Sequence, residues 1–563
     1  MDKEEQMYKL PEGWIETRID VLAVVLTGNT PSKKYSSYYG GNLPFYKPSD
    51  LNTGIVYRAT EHLTDEARAV ARTLPKDSIL VTSIGATIGK TGLIKKEGAF
   101  NQQINGIIPF VSFPLFYYYQ ILEGSFQRRI VENSSATTVP IINKSKFGKL
   151  KLKLAPLQEQ QRIVFKIEKL LSELDHAEKG LQNAQQQLDI YRQALLKSAF
   201  NGSITAKWRL ENEEKSAYQE LEDIKRIRKK RYNLEIQEGN RKKAKADYDI
   251  TFKQDKEIPT WVSADLNDLI DINARIGWKG LTKKEYTTEG PSLLSVHSLN
   301  YGKNVVFKDA YHITIARYEE SPEIKLQVND ILLCKDGAGI GKVGILKSLP
   351  NKATVNSSLL VINAKEVFNP DFLYYFFSGP TMQKLVNEKI SGSAIPHLFQ
   401  KDIKKFNLKV PPKEEQNIIV DVLESRFTLI EDLEKSISES LSNVIIFRHS
   451  ILKKAFKGRL VEQNPNDESA NVLLQKIKIE KIAYLKVQKE LEKLIPKKKR
   501  PMETKKTVLE LLKESETPVS TQELWDNSIH EGDIESFYSE IKDIYEKLAQ
   551  IKEGTKSFLS LKK

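Results

Sequence analysis

The chain is written twice. Residues 141–202 lie over residues 397–458 at a constant offset of 256, with no gap. Val139-Pro140 falls on Ile395-Pro396. Ala155-Pro156-Leu157-Gln158-Glu159-Gln160 falls on Pro411-Pro412-Lys413-Glu414-Glu415-Gln416. Lys197-Ser198-Ala199-Phe200-Asn201-Gly202 falls on Lys453-Lys454-Ala455-Phe456-Lys457-Gly458. Solenoid units run to roughly 20–50 residues, so a repeat this long is a duplicated module. It predicts pseudo-two-fold symmetry within one chain. Duplex DNA is also two-fold, and a symmetric reader can set two modules on two half-sites.

A chain of 563 residues exceeds one hydrophobic core and predicts several domains. It holds 87 Lys and Arg against 74 Asp and Glu, a net +13, which favours a polyanionic partner. The one cysteine, Cys334, excludes a disulfide framework and a cysteine-based zinc site, and suits a reducing cytosol. The opening residues carry no apolar signal-peptide stretch. The most apolar run, residues 107–119, is too short to span a membrane. The expectation is a cytoplasmic protein without a membrane partner.

Each copy has a mixed half and a helical half. The first mixed half, to residue 154, is rich in turn residues and short β-like runs such as Ser78-Ile79-Leu80-Val81-Thr82. The second covers 258–410 and opens on Ile258-Pro259-Thr260-Trp261, echoing Leu10-Pro11-Glu12-Gly13-Trp14. The echo fades at Gly28-Asn29-Thr30-Pro31-Ser32-Lys33, whose counterpart is Arg275-Ile276-Gly277-Trp278-Lys279-Gly280. It returns where residues 78–94 match 330–346. Like scaffolds with unlike loops suit two readers of different sequences; neutral drift after duplication leaves the same trace.

In the helical halves, Ile163, Ile167, Leu170, Leu174, Ala177, Leu181, Ala184, Leu188, Tyr191 and Leu195 alternate spacings of four and three, an a/d heptad seam. Adding the offset gives Ile419, Leu423, Arg426, Ile430, Leu433, Ile437, Ser440, Val444, Phe447 and Ile451, with Arg426 and Ser440 as polar interruptions. Each helix of about 40 residues spans roughly 60 Å. Pro156 and Pro412 stand before the starts and Gly202 and Gly458 past the ends, as helix punctuation predicts. An antiparallel pair buries both seams and holds the mixed domains apart.

Charged segments follow each helix and read as solvated helix or linker, with phosphate contact by Lys225-Arg226-Ile227-Arg228-Lys229-Lys230-Arg231 as the alternative. The tail from 503 lies outside the repeat. It predicts helices at 507–514, after the capping box Ser520-Thr521-Gln522-Glu523, and from Gly532-Asp533 through Leu548. This order fits a winged-helix or helix-turn-helix domain, and equally a partner-docking bundle.

Gly85-Ala86-Thr87-Ile88-Gly89-Lys90-Thr91 imitates a phosphate loop but has three residues between its glycines where that motif needs four. Its twin, Gly337-Ala338-Gly339-Ile340-Gly341-Lys342-Val343, also lacks the magnesium-holding hydroxyl. Both read as tight turns, able to bring backbone amides and a lysine near a phosphate. Asn and Gln can pair bidentately with adenine. The first-half candidates for DNA contact are therefore Asn29, Thr30, Ser32, Lys33, Lys34, Tyr35, Tyr46, Lys47, Ser83, Thr87, Lys90, Asn101, Gln102, Gln103, Asn105 and Thr137. The second-half candidates are Arg275, Trp278, Lys279, His297, Lys335, Asp336, Lys342, Asn356, Ser357, Ser358 and Ser393. Ordinary loop capping accounts for the same polar residues. No HExxH spacing, nucleophile elbow or methyltransferase Asn/Asp-Pro-Pro-aromatic motif occurs.

The combination resembles the specificity subunit of type I restriction-modification systems. It is carried by the Leu-Pro-Glu-Gly-Trp opening at 10–14, the glycine turns at 85–92 and 337–344, and Pro156-Leu157-Gln158-Glu159-Gln160-Gln161-Arg162-Ile163. Residues 197–204 and 453–460, at the helix ends, complete it. The resemblance covers about 10–500 and implies a non-catalytic chain with two target-recognition domains, each reading half of a split, asymmetric DNA site. The helices act as a ruler and dock two methyltransferase subunits, which methylate adenine with S-adenosylmethionine. Restriction/motor subunits, using ATP and magnesium, join to cut unmodified DNA. No cofactor is expected in this chain.

The expected fold class is α+β. Recognition domains at 1–154 and 258–410 are separated by antiparallel coiled-coil spacer helices at 155–205 and 411–461. Charged helical linkers occupy 206–257 and 462–502, and a small helical domain 503–563. The readings to be weighed against a DNA-specificity module are a nucleotide-dependent enzyme using the 85–91 loop and a coiled-coil protein scaffold.

Overall fold

The computed structural model describes residues 10–135, 139–238, 248–275, 281, 283–391, 397–494, 506–515, 517–553 and 556–562. They form two compact units. One comprises residues up to 178 and from 441 onward, the other residues 179–440. Among the described residues, no helix is long and apolar enough to cross a membrane.

In the first mixed domain, the apolar runs Ile79–Thr82 and Ile104–Pro109 lie side by side in the middle of a five-stranded sheet, which is why they are apolar on both faces. The strand order is Ala23–Thr27, Ile104–Pro109, Ile79–Thr82, Thr91–Ile94, Ile55–Val56. A second sheet pairs Tyr39–Tyr46 in parallel with Gly98–Phe100. The second mixed domain repeats this plan. Its sheet runs Asp271–Asn273, Leu359–Asn363, Ile331–Cys334, Val343–Ile345, and Thr287–Leu294 pairs in parallel with Ala353–Val355. The topology is thus duplicated even where the sequence echo fades.

The spacer helices are Leu157–Phe200, of 44 residues, and Lys413–Ala455, of 43. Gly202 and Gly458 follow their ends with φ of 79° and 61°. A Cβ on Gly202 would stand 2.5 Å from Ile258 Cδ1, and one on Gly458 2.2 Å from Pro11 Cγ. Glycine is needed at both for conformation and for close approach to the opening motif of a mixed domain.

Within each unit the helices run antiparallel. In the first, Ile163 and Ile167 share a core with Leu452 and Ala455, while Arg448 reaches Glu178 at 2.9 Å and also pairs with Asp175. In the second, Leu195 and Ala199 share a core with Ile419, Leu423 and Phe427, and Arg192 pairs with Glu434 at 3.2 Å. Most of the predicted seam faces inward: Ile163, Ile167, Leu170, Leu174, Leu181, Leu188, Leu195, Ile419, Leu423, Ile430, Ile437, Ser440, Val444 and Ile451 are buried or half-buried. Farther along each helix, most of the alternate positions are displaced by one residue. Ala177, Ala184, Tyr191, Arg426, Leu433 and Phe447 are exposed. Glu178, Arg192, Phe427, Glu434, Leu441 and Arg448 take the inner positions. Polar side chains sit on the seam because each meets an opposite charge across it, and such pairs fix register and orientation. Glu178 with Arg448 and Arg192 with Glu434 are the same pair repeated at the offset of 256.

The charged segments are braces as well as charge. Helix Ala217–Gln237 docks on the second mixed domain through Ala217 and Leu221, and Ala217 N donates to Thr260 O at 2.9 Å. Helix Ala470–Leu494 docks on the first through Ala470, Leu473 and Ile477, and Ala470 N donates to Gly13 O at 3.0 Å. Within the basic run, Arg228 is 1% exposed and pairs with Glu366 at 2.8 Å. Burial works against the Glu366 charge but is outweighed by Arg228 and Arg231, which hold its carboxyl at about 2. A depressed carboxylate contributes stability above its unfolded value of 4.5, and that contribution is lost as pH falls toward 2. The destabilisation caused by Glu366→Gln should therefore be present at pH 6 and shrink between these limits, as denaturant titrations at several pH values can check.

The tail is not purely helical. Its helices are Val508–Glu514, Thr521–Asn527 and Ile534–Asp543, with Ser520 Oγ accepting from Glu523 N at 3.1 Å as the capping box predicts. The third helix stops short of Leu548, which instead opens the hairpin Leu548–Glu553 with Lys556–Leu561. Val519–Ser520 adds a third strand. Leu548 and Leu559 are buried there in one core with Val508 and Phe537, and Leu561 packs against it.

Candidate nucleic-acid interface

The glycine turns superpose in hydrogen bonding. Gly89 N donates to Thr82 O at 2.8 Å and Gly341 N to Cys334 O at 2.9 Å. Ile88 N donates to Gly85 O, and Ile340 N to Gly337 O, both at 3.1 Å. Lys90 and Lys342 donate their amides to Thr87 O and Gly339 O. These amides serve the turn, so they are not free to cradle a phosphate. Gln127 Nε2 ties the first turn to helix Pro114–Leu122 by donating to Gly89 O and Ile121 O. Gln383 does the same for the second through Gly341 O and Phe377 O. Both glutamines were missed in the sequence, although they stand at the same offset of 256 as the repeat.

Around the first turn the fold gathers the other predicted loops. Gly28 N donates to Ile104 O, and a Cβ on Gly28 would meet Asn101 O at 2.2 Å, so the 28–35 loop must lie against the 101–105 loop. Thr30 bonds Gln102, and Ser83 N donates to Gln103 O at 2.7 Å. Gly85 N reaches Pro140 O at 2.9 Å, bringing in the segment after Thr137, which itself lies outside the described residues. Ser32 is half-buried, and Lys33, Lys34, Tyr35 and Thr87 are exposed at this cluster, with Lys90 half-buried beside them.

Several candidates are spent on structure. Tyr46 is fully buried and donates to Lys96 O, with burial pushing its phenol up to about 12. Ser83 is buried against Gln103 O, and Asn105 is buried between Thr27 and Ile142 O. These three are core residues rather than a presented surface. Asn29 staples its loop, donating to Val70 O at 2.7 Å and accepting from Arg72 N at 2.8 Å. Asn101 accepts from Gln103 N, so it caps a turn. Lys47 pairs with Glu61.

The second cluster has the same backbone and different side chains. Asn356 accepts from Ser358 N at 3.1 Å and from Ser358 Oγ at 2.6 Å, the twin of the Asn101 turn, leaving Ser357 exposed at the tip. Lys342 Nζ reaches Asn300 Oδ1 at 2.5 Å, and His297 is exposed. Lys335 pairs with Asp336 at 3.2 Å, and His397 Nδ1 stands 3.6 Å from the same carboxylate. Arg275 is half-buried; burial and then Arg317 push its pKa down. Trp278, Lys279 and Ser393 lie outside the described residues.

Each cluster is anchored to a spacer helix by one device. Trp14 Nε1 donates to Glu159 at 3.0 Å and Trp261 Nε1 to Glu415 at 2.7 Å. Gln160 accepts from Phe113 N at 3.1 Å and Gln416 from Asn369 N at 2.7 Å. At the far helix ends, Phe456 packs on Phe116 with centroids 5.4 Å apart, and Phe200 on Phe372 at 5.1 Å. The Leu-Gln-Glu-Gln and Ala-Phe-Asn-Gly stretches are therefore the joints between helix and reader.

Two like scaffolds, bearing unlike loop clusters and each jointed to a helix, define a duplicated recognition protein. Residues 11–184 and 234–443 match the family described as the type I restriction modification DNA specificity domain, and the chain belongs to that family. It is 29% identical over 378 residues to the type I restriction enzyme EcoBI specificity subunit of Escherichia coli, covering 65% of this chain and 72% of that one. It is 25% identical over 501 residues to the EcoKI specificity subunit of Escherichia coli strain K12, covering 84% and 97%. In fold it is similar to the HsdS subunit from Thermoanaerobacter tengcongensis, with a TM-score of 0.53 at 16% identity, covering 81% of this chain and 99% of that one.

Proposed function

We propose that the chain is the non-catalytic sequence-specificity subunit of a type I restriction-modification complex. Each mixed domain reads one half of an asymmetric two-part DNA site. The observation that carries this is the pair of loop clusters: one hydrogen-bonded backbone, two different sets of side chains. In the first, Ser32, Lys33, Lys34, Tyr35, Thr87 and Lys90 would meet DNA; in the second, His297, Lys342 and Ser357 would do so. Two methyltransferase subunits, using S-adenosylmethionine, would dock on the spacer helices. The exposed pairs Ile190-Tyr191 and Ile446-Phe447, equivalent at the offset of 256, are apolar surface suited to them. Restriction/motor subunits, using ATP and magnesium, would join the same complex in the cytoplasm. The tail has the helix and strand order of a winged-helix domain.

Exchanging residues 20–140 for the equivalent segment of another specificity subunit tests the division of labour. The methylated motif should change in one half and keep the other. A change in both halves, or in neither, would contradict it. A nucleotide-dependent enzyme is disfavoured because the glycine-turn amides already bond within the turn.

A further inference from the structure

The tail lies against the first recognition domain at the loops proposed above to meet DNA. Residues 507–546 carry eleven acidic side chains and two basic ones, opposite in sign to the net +13 of the whole chain. This acidic half makes the observed contacts. Lys34 Nζ donates to Asn527 Oδ1 at 3.3 Å, and Lys144 N donates to Glu535 Oε1 at 3.1 Å. Tyr39 has its phenol pKa raised, first by burial and then by Asp526. Lys34 belongs to the 28–35 loop; Lys144 follows the 139–143 segment that Gly85 N holds through Pro140 O. The tail thus touches the loop cluster on two sides.

Beside the Lys144–Glu535 contact is a groove of about 860 Å³, with Ser135, Val139 and Asn143 on one wall and Glu535, Tyr538 and Glu546 on the other. A groove this large between the tail and the recognition domain marks a contact that is not closely packed and can open. Lys34 Nζ is a group that a DNA phosphate would use, and an acidic body seated beside it opposes a second anion there. The hairpin beyond, residues 547–563, has five lysines and one glutamate, so the acidity is confined to the helical part.

We propose that the C-terminal domain is an acidic cap that competes with duplex DNA for the Lys33-Lys34 and 143–146 edges of the first recognition domain. The reader is then fully exposed only when the cap lifts. This rests on the reading of the 28–35 loop as DNA-facing. Capping would lower affinity for all duplexes while leaving sequence preference intact, because the negative charge of the cap opposes every duplex alike.

The test locks the cap in the full-length chain, assembled with its methyltransferase partner. Lys144→Cys and Glu535→Cys are joined by a short bismaleimide; native Cys334 is buried, and burial raises its thiol pKa, so it stays unlabelled. The linked complex should bind DNA at least tenfold more weakly than the same variant unlinked, for target duplex and for random duplex at low salt alike. In the unlinked chain, Asp526→Asn with Glu535→Gln should tighten both severalfold. Unchanged binding after linking overturns the cap, and so does weaker binding by the neutralised variant, which would make the tail a DNA contact. If the unlinked complex binds every duplex equally, the specificity reading fails, while the effect of linking on random duplex still decides the cap.

Discussion

Inserting seven residues after Leu181, together with seven after Ile437, should lengthen the gap between the two halves of the recognised site by about three base pairs. Seven helical residues add ~10 Å, and duplex DNA rises ~3.4 Å per base pair. Both insertions fall between an Arg and a Glu of the seam, so Glu178 can still meet Arg448 and Arg192 can still meet Glu434. A whole heptad keeps Ile167, Leu174, Leu188 and Leu195 facing inward. Seven residues in one helix alone should fail, because the partner helix cannot match both ion pairs. Motif mapping of methylated DNA reads the gap directly. An unchanged gap in the doubly extended chain would show that something other than helix length sets it.

Replacing Glu415 should unfold the second unit far more readily than the equivalent change at Glu159 affects the first. Glu415 is fully buried and accepts from Trp261 Nε1 at 2.7 Å, from Thr205 Oγ1 at 2.6 Å and from Arg209 at 2.6 Å. Arg209 also lies over the Trp261 ring at 5.5 Å. Glu415→Ala leaves the half-buried guanidinium its bond to Gly202 O but takes its counter-charge and the acceptor of two further donors, a loss of about 3–5 kcal/mol. At roughly 2–4 °C per kcal/mol, the transition of that unit should fall by some 6–12 °C or more. Glu159 keeps the tryptophan, but the nearby Arg162 is engaged by Asp467 at 2.6 Å. Burial pushes the Glu159 carboxyl up. A raised carboxyl favours its neutral form, so its ionisation counts against stability as pH rises through the folded value. Glu159→Ala, which takes an acceptor from Trp14 Nε1 but no counter-charge from a buried arginine, should therefore cost only about 1–3 kcal/mol near neutral pH. Calorimetry on the two variants compares them; equal losses would show that the joints are equivalent in energy as well as in geometry.

The duplication was legible because it is written in residues that the joints require. Glu159 and Glu415, Gln160 and Gln416, Phe200 and Phe456, Gly202 and Gly458 each make the same contact twice. The glycine turns were legible for the same reason. The seam was read one residue off at alternate positions, because Tyr191, Leu433 and Phe447 are apolar while the true inner residues Arg192, Glu434 and Arg448 are charged. A hydrophobic pattern cannot see that these charges meet across an antiparallel pair. Their shared offset of 256 was the available signal.

In the candidate interface, residue type pointed to loops that the fold gathers into one cluster, and often to side chains that those loops use for themselves. Asn29, Asn101 and Asn356 have the groups that pair with adenine, yet each uses them to close its own loop. Whether an amide faces a base or a backbone depends on the partner loop, which sequence alone does not place. The tail hairpin was missed because Ile534, Phe537, Ile541 and Ile544 set a helical period that Leu548 continues by chance.

Methylome sequencing of cells expressing this chain, with and without its methyltransferase partner, tests the central claim most directly. The account predicts methylated adenine in a two-part asymmetric motif with a fixed gap, present only when both are expressed. Methylation that is absent when a demonstrably active partner is supplied, or that lacks a two-part motif, would contradict it.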